Sequence, residues 1–590
     1  MAGQRRPAER RRRAEQRRPA ERRRPAGYRR PWVADNGDGT YRNPVLHADW
    51  SDPDVVRVGA DYYLVASSFH RVPALPVLHS RDLVNWSIVG HALPRLEPEE
   101  EFRTPQHGRG VWAPAIRYHD GRFWIFYPDP DRGIFVVTAA DPAGPWSRPH
   151  PLKTGRGLID PCPLWDEDGS AYLVHAWAKS RAGFNNRLTC HRMSPDATEL
   201  RDGGRDVVDG AALPRYRTLE GPKFYRRDGW YWIFAPAGGV TDGWQSAFRS
   251  RHVLGPYQDR IVLARGDTAI NGPHQGAWVT TPQGQDWFLH FQDRGAFGRV
   301  VHLQPMRWTA DGWPAIGTPT GRAVDRAGEP AGVSGDGPGQ PVLRHAKPAV
   351  TPVSPVTAPA AGDDFTGPRL GPQWAWAANP RPDWWTLRPA GGLRLACVPT
   401  DAGDDLRGLP NLLGQRLPAD RFRASTRLRL TGTGPGARAG LAVLGRSYAW
   451  TGLLRTAHGA VLVRRTAGAG ERERDDAAGL DVPLLADGDP APVLLRVDVF
   501  PDGRCQFLAT VGPEPPRPVG PPFPATAGHW VGATLGLFAT APPQAAPEDA
   551  AQGSADFPGS GPAAGPLAGT GTAEFDAFCV TDAGRADRPA

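Results

Sequence analysis

Between residues 55 and 310 the chain repeats one phrase, a polar turn followed by a short run crowded with aromatic and aliphatic residues. The runs read Asp61-Tyr-Tyr-Leu-Val, Asp120-Gly-Arg-Phe-Trp-Ile-Phe, Asp168-Gly-Ser-Ala-Tyr-Leu-Val, Asp228-Gly-Trp-Tyr-Trp-Ile-Phe and Gln285-Asp-Trp-Phe-Leu. Anchored on Tyr63, Trp124, Tyr172, Trp232 and Phe288, they recur at spacings of 61, 48, 60 and 56 residues. Asp-Gly before a β-rich run signals a hairpin, because Gly takes positive φ without steric cost. Five units of this size, each holding several short strands, predict a five-bladed β-propeller over residues 36–317. A weaker echo, Ser80-Arg-Asp-Leu-Val-Asn-Trp86 and Ala140-Asp-Pro-Ala-Gly-Pro-Trp146, reads as a turn closing a blade.

The pattern breaks at Gly317. Residues 318–361 contain no Phe, Tyr or Trp and are dominated by Gly, Pro, Ala and Val, which predicts a linker. From Asp363 short alternating runs return, among them Leu393–Cys397, Arg427–Leu430, Ala439–Leu444, Ala460–Arg464, Val493–Val499 and Glu574–Val580. Apolar residues alternating with polar ones fit half-buried antiparallel strands, so residues 362–585 are expected to form a β-sandwich. A low-complexity stretch at 541–570 reads as an insertion before its last strand. The fold class is therefore all-β, a propeller followed by a sandwich.

Composition supports this. With 70 Gly and 64 Pro in 590 residues, long helices are excluded, while 21 Trp, 21 Phe and 12 Tyr suffice for sizeable cores. The net charge of +8 comes from the head: residues 1–30 hold 13 Arg and 3 Glu, which leaves the remainder at −2. Residues 1–35 thus read as a disordered Arg-rich tail, and the folded part lacks the basic excess that nucleic-acid binding needs. No run of 18 apolar residues occurs, so no membrane partner is expected. Five scattered cysteines, and no apolar segment in the head, point to a reducing compartment and a cytoplasmic location.

HExxH, a Walker A loop and GxSxG are all absent. Asp166-Glu-Asp-Gly169 lacks the later Glu of a calcium loop and reads as a hairpin turn. Three acids stand out instead: Asp52 in His47-Ala-Asp-Trp-Ser-Asp-Pro-Asp54, Asp160 in Gly157-Leu-Ile-Asp-Pro-Cys-Pro163, and Glu220 in Thr218-Leu-Glu-Gly-Pro-Lys223. Each precedes a different repeat strand by a few residues. In a propeller, the chain entering a blade's innermost strand lines the axis, so three such acids can meet there.

These segments resemble glycoside hydrolase family 43. The resemblance rests on Tyr41-Arg-Asn-Pro through Asp52-Pro-Asp-Val-Val-Arg57, Ser67-Ser-Phe-His-Arg-Val-Pro73, Trp112-Ala-Pro114, Ile159-Asp-Pro161, Glu220-Gly-Pro222 and Gly272-Pro-His-Gln-Gly276, in the family's order. From Asp363-Asp-Phe-Thr-Gly367 through Ala449-Trp-Thr-Gly-Leu453 the chain is similar to the concanavalin-type sandwich that follows this propeller in the xylosidase branch. The resemblance implies an inverting, exo-acting glycosidase that releases xylose or arabinose from oligosaccharides. It matches Asp52 to the general base, Glu220 to the general acid, and Asp160 to the acid that raises and orients Glu220. It matches Arg299 to a substrate-binding cation, Trp112 and Phe69 to pocket walls, and His274 to a channel histidine that holds a hydrated calcium in many relatives. The chemistry requires no cofactor. His70-Arg71 departs from the aromatic pair usual after Phe69.

The residues themselves agree with the roles. Inversion needs one protonated acid on the leaving oxygen and one carboxylate opposite, about 6.5–9.5 Å away, with room for water. A third carboxylate beside Glu220 keeps it protonated near neutral pH, and Arg299 is expected to hold Asp160 ionised. An endo-arabinanase, an invertase-type propeller and a non-catalytic sugar-binding propeller remain the alternatives. The xylose or arabinose preference and the oligomeric state are not legible in the sequence.

Overall fold

A computed structural model describes residues 30–320, 337–350, 354–399, 405–543 and 571–584, with the backbone alone of 323–324 and 330–331. The Arg-rich head up to residue 29, much of the predicted linker and most of the predicted insertion at 541–570 lie outside the described residues. Among the described residues, α-helix is confined to the single turns Lys179–Ala182 and Gly239–Asp242. No helix there is long and apolar enough to cross a membrane.

Five antiparallel sheets of four consecutive strands form the propeller. Their innermost strands are Asp54–Val58, Ala115–His119, Leu158–Trp165, Lys223–Arg227 and His274–Thr280, for blades 1 to 5 in order. The five aromatic anchors all fall on the second strand of a blade, and each Asp-Gly turn joins first strand to second. Second strands such as Trp230–Ala237 are apolar on both faces because each blade packs on two neighbours. Val65 and Val77 of blade 1 meet Ile116 and Ile125 of blade 2, and Phe126 and Val136 of blade 2 meet Leu158 and Leu173 of blade 3. Blade 5 closes the ring through Leu289 and Val301 against Val55 and Leu64. Fully buried anchors such as Trp232 each stabilise this ring by about 1.5–3 kcal/mol. The segment before blade 1 locks the closure: Leu46 and Val301 exchange backbone hydrogen bonds, and Asn43 caps Leu303.

The stretch read as a linker does not hang free where it is described. Thr318–Pro319 and Gly339–Gln340 extend the sheet of blade 4, and Arg344–Ala346 pairs with Thr40–Arg42. Extended Pro-rich chain leaves backbone donors and acceptors open, and the blade edge supplies partners for them.

The second unit is a sandwich of two sheets. Phe422–Thr431 and Val493–Val499 alternate buried and part-exposed residues as expected for strands with one wet face. Arg438–Leu444 is buried throughout, because Leu406, Leu409 and Leu412 cover its outer face. The predicted strand at 574–580 is split into Thr572–Phe575 and Cys579–Thr581.

The two units are stitched by backbone. Val72 and Trp376 exchange two hydrogen bonds at 3.1 and 2.6 Å, Asn379 N donates to Phe102 O at 2.7 Å, and Ala533 N donates to Ala296 O at 2.7 Å. At Gly532 a Cβ would come within 2.7 Å of Gly298 N, so only glycine permits this approach.

Candidate active site

Asp52 ends the turn that leads into the innermost strand of blade 1. Its φ of 56° lies in the left-handed region, which costs a non-glycine residue energy and is concentrated at functional positions. The buried carboxyl accepts from Ser51 Oγ at 2.7 Å and Ser67 Oγ at 2.6 Å on Oδ2, and Arg299 Nη1 lies 3.1 Å from Oδ1. Its hydrogen-bonding partners Ser51, Ser67 and Arg299 are all donors to the carboxylate.

Asp160 lies within the innermost strand of blade 3, at a slip of register between Ile159 and Cys162, and also at a φ of 56°. The bulge turns its side chain to the axis. Its Oδ2 accepts from Gly221 N at 2.8 Å. Gly221 takes a φ of 60°, and a Cβ there would meet the Gln275 side chain at 2.9 Å and Pro236 at 3.1 Å. Glycine thus lets the blade 4 loop bring Glu220 beside Asp160.

Glu220 is 25% exposed, and its Oε1 lies 3.4 Å from His274 Nε2. Burial, and then the Asp160 charge, push the Glu220 carboxyl up to about 8. Burial and the Asp52 charge also raise Asp160, to about 7, while Gly221 N–H, Lys223 and Gln275 favour its ionised form. Among the described residues only the Arg299 charge favours the ionised form of Glu220, so the proton shared by this pair belongs on Glu220. His274, driven down to about 3 by burial and by Arg299, is a neutral imidazole there.

Arg299 differs from expectation. Its guanidinium binds Ser51 Oγ at 2.7 Å and Asp52, not Asp160. It emerges from blade 5 beside blade 1, on the Asp52 side of the axis. The neighbours that favour charge on Asp160 are Gly221, Lys223 and Gln275, none of which the sequence singled out.

Phe69, at a φ of 53°, and Trp112 stand 6.0 Å apart between ring centres. The sandwich adds a third ring. Trp530, 46% exposed, sets its indole 6.1 Å from Trp112, edge to face. Its one signal in the sequence is an exposed aromatic in the glycine-flanked Gly528-His-Trp-Val-Gly532. His70 and Arg71 turn toward the sandwich: Arg71 donates to Thr534 Oγ1 at 2.9 Å and Gly532 O at 3.2 Å.

His274 is the residue that a channel calcium would meet. Both its ring nitrogens are buried without a hydrogen-bond partner. Calcium takes six to eight oxygens, whereas no three His, Cys, Asp or Glu side chains among the described residues form a metal-holding group. One imidazole nitrogen makes no protein cage, so a calcium held by His274 would be a hydrated ion with its oxygens supplied by water.

Comparison with known proteins accords with this geometry. The family described as "Glycosyl hydrolases family 43" matches residues 41–314, and "Beta xylosidase C-terminal Concanavalin A-like domain" matches 362–558. A putative beta-xylosidase of Xylanibacter ruminicola is 36% identical over 510 residues, covering 86% of this chain and 88% of the relative. The chain belongs to glycosyl hydrolase family 43. A non-reducing end alpha-L-arabinofuranosidase of Bacteroides ovatus is 30% identical to this family 43 glycosidase over 424 residues, 68% of this chain and 73% of the relative. A solved xylan beta-1,4-xylosidase of Bacillus halodurans shares the two-unit fold of the family 43 enzyme, with a TM-score of 0.75 at 23% identity, over 92% of this chain and all of that one.

Proposed function

We propose that the enzyme removes single xylose or arabinose units from the non-reducing ends of short oligosaccharides, with inversion. The observation that carries this is the pairing of Glu220, lifted to about 8 by burial and Asp160, with a donor-ringed Asp52 across the same axis. Glu220 donates its proton to the glycosidic oxygen as the bond to the anomeric carbon breaks. Asp52 takes a proton from a water that attacks the opposite face of the oxocarbenium-like centre. Asp160, bonded to Gly221 N, keeps the proton on Glu220 until the leaving oxygen claims it. Arg299 orients Asp52 and lends positive charge near the sugar hydroxyls. Phe69 and Trp112 offer apolar faces to the C–H side of a pentose ring.

Trp530 favours exo over endo action, because a ring from the second unit set against Trp112 narrows one end of the cleft. An arabinanase needs that end open for polymer. The names of the relatives, beta-xylosidase and alpha-L-arabinofuranosidase, support pentoside substrates. The five unpaired cysteines support a reducing compartment. No metal enters this reading.

The test is kinetic. Asp52→Asn and Glu220→Gln should each lower turnover of an unactivated pentose disaccharide at least about 10²-fold. Glu220→Gln should be milder on 4-nitrophenyl pentosides, whose leaving group needs little protonation. NMR of the first-formed anomer should show inversion. Near-full activity of Asp52→Asn on the disaccharide, or retention, would overturn the assignment.

A further inference from the structure

A second cavity, distinct from the acids at the propeller axis, lies where the two units meet. It encloses about 200 Å³. Its walls carry Arg71 from the propeller and Arg407, Arg416 and Arg446 from the sandwich, and no aspartate or glutamate. Arg407 is taken up by Asp405 and three backbone carbonyls, and Arg71 by Asp49, Gly532 and Thr534.

Arg416 is different. Its Nε donates to the Asp49 carbonyl at 2.6 Å, and its plane lies 4.0 Å over Trp50. The nearby Asp49 carboxylate spends its oxygens on Arg299 N, Gly532 N and Arg71. No carboxylate among the described residues pairs with Arg416, and its two terminal nitrogens have no protein acceptor there. A part-buried guanidinium with no direct carboxylate partner is unfavourable, more so with Arg71 close by, and the Asp49 charge offsets this only in part.

Two further groups lining the same space lack partners. His70 is 5% exposed with Nδ1 unbonded, and Gln373 is 6% exposed with Oε1 unbonded. A cavity with a cationic fork and an imidazole nitrogen free to donate is suited to something polar and negative, whereas the Gln373 amide oxygen, an acceptor, takes no part in holding it.

We propose that this junction cavity is a binding site for a small oxyanion, a carboxylate or an inorganic phosphate, held by the terminal nitrogens of Arg416. The planar guanidinium fork matches two oxygens of either group. His70 Nδ1, in its N–H tautomer, donates one more hydrogen bond to the bound oxyanion. The occupant touches both units at once, so binding clamps the sandwich to the propeller and stabilises their joined form by linkage.

The experiment is thermal denaturation of the full chain at constant ionic strength, titrated separately with sodium phosphate and sodium acetate against sodium chloride. At least one oxyanion should raise Tm by roughly 2 °C or more, saturably, at about ten times its Kd. The phosphate and acetate arms identify which class the site takes. Arg416→Met should abolish the saturable rise, and Arg416→Lys should weaken it. An absent or non-saturating rise, or an equal rise in Arg416→Met, would overturn the proposal. Wild-type crystals soaked separately in sodium phosphate and sodium acetate give an independent reading that needs no variant. Density for one of the two oxyanions beside Arg416 is expected, and the absence of both from this cavity would overturn the proposal.

Discussion

Replacing Asp160 by Asn should change how the stability of the propeller depends on pH, and the direction can be worked from the site. Asp160 is raised from its ordinary 3.8 to about 7 and Glu220 from 4.5 to about 8. Both carboxyls thus hold their protons more tightly in the folded chain than in the unfolded one. Below about pH 4 both states are protonated and the site costs nothing. As pH rises towards 7 and 8 the unfolded chain releases the protons freely while the folded chain must ionise buried groups, so stability falls. At about 1.36 kcal/mol per tenfold change in proton affinity, the lift of Asp160 amounts to roughly 4 kcal/mol once it is ionised.

Asp160→Asn removes that cost and the second-largest cause of the Glu220 shift, while its amide oxygen still accepts from Gly221 N. At about 2–4 °C per kcal/mol for large domains, the variant should melt roughly 8–16 °C above wild type near pH 8.5, with little difference near pH 4. Melting curves of both proteins across that range, at fixed ionic strength and scan rate, measure the gap. A gap that stays constant with pH would refute the reasoning, since it would mean that folding does not raise the Asp160 carboxyl. The same variant should be far less active, because the arrangement that destabilises the fold is the one that holds the catalytic proton.

Three other outcomes follow from the same geometry. The rate on an unactivated disaccharide should fall on the alkaline side through a pKa near 8, and Glu220→Gln should remove that limb along with most of the activity. Trp530→Ala should raise KM for disaccharides about tenfold, leave kcat on nitrophenyl pentosides within roughly threefold, and admit longer chains, all readable by product chromatography. Residues 31–320 expressed alone should aggregate or lose activity, because they would expose the surface that Trp376, Asn379 and Ala533 cover; a soluble, heat-stable, fully active fragment would sink this.

The propeller was legible because its blades repeat a local signal. Asp-Gly turns and aromatic second strands are dictated by hairpin chemistry and by packing between blades, and both leave marks within a few residues of sequence. The three acids were legible for a related reason: each is followed by Pro or Gly-Pro, which marks the turn or bulge that points it inward. What the sequence hid was long-range. Arg299 pairs with Asp52 and not with Asp160, and nothing in the spacing says that blade 5 delivers it beside blade 1. The roles of Ser67 and Gln275 depend on where neighbouring loops land. The predicted linker failed as a free spacer because composition reports stiffness and not whether a sheet edge is at hand.

The sandwich also bears on the base itself. Asp49, three residues before Asp52, accepts from Arg299 N on one oxygen and from Gly532 N on the other, each at 3.0 Å. Its backbone carbonyl takes Arg416 Nε, and Trp50 lies under the same guanidinium. The turn that carries Asp52 in the left-handed region is thus held from blade 5 on one side and from two strand ends of the sandwich on the other. A turn at positive φ relaxes unless its surroundings over-determine it. Here part of those surroundings comes from a unit nearly 500 residues away in sequence, at Gly532. That is a physical reason for the two units to travel together: the sandwich lends a ring to the cleft through Trp530, and it also fixes the backbone on which the water-activating carboxylate stands.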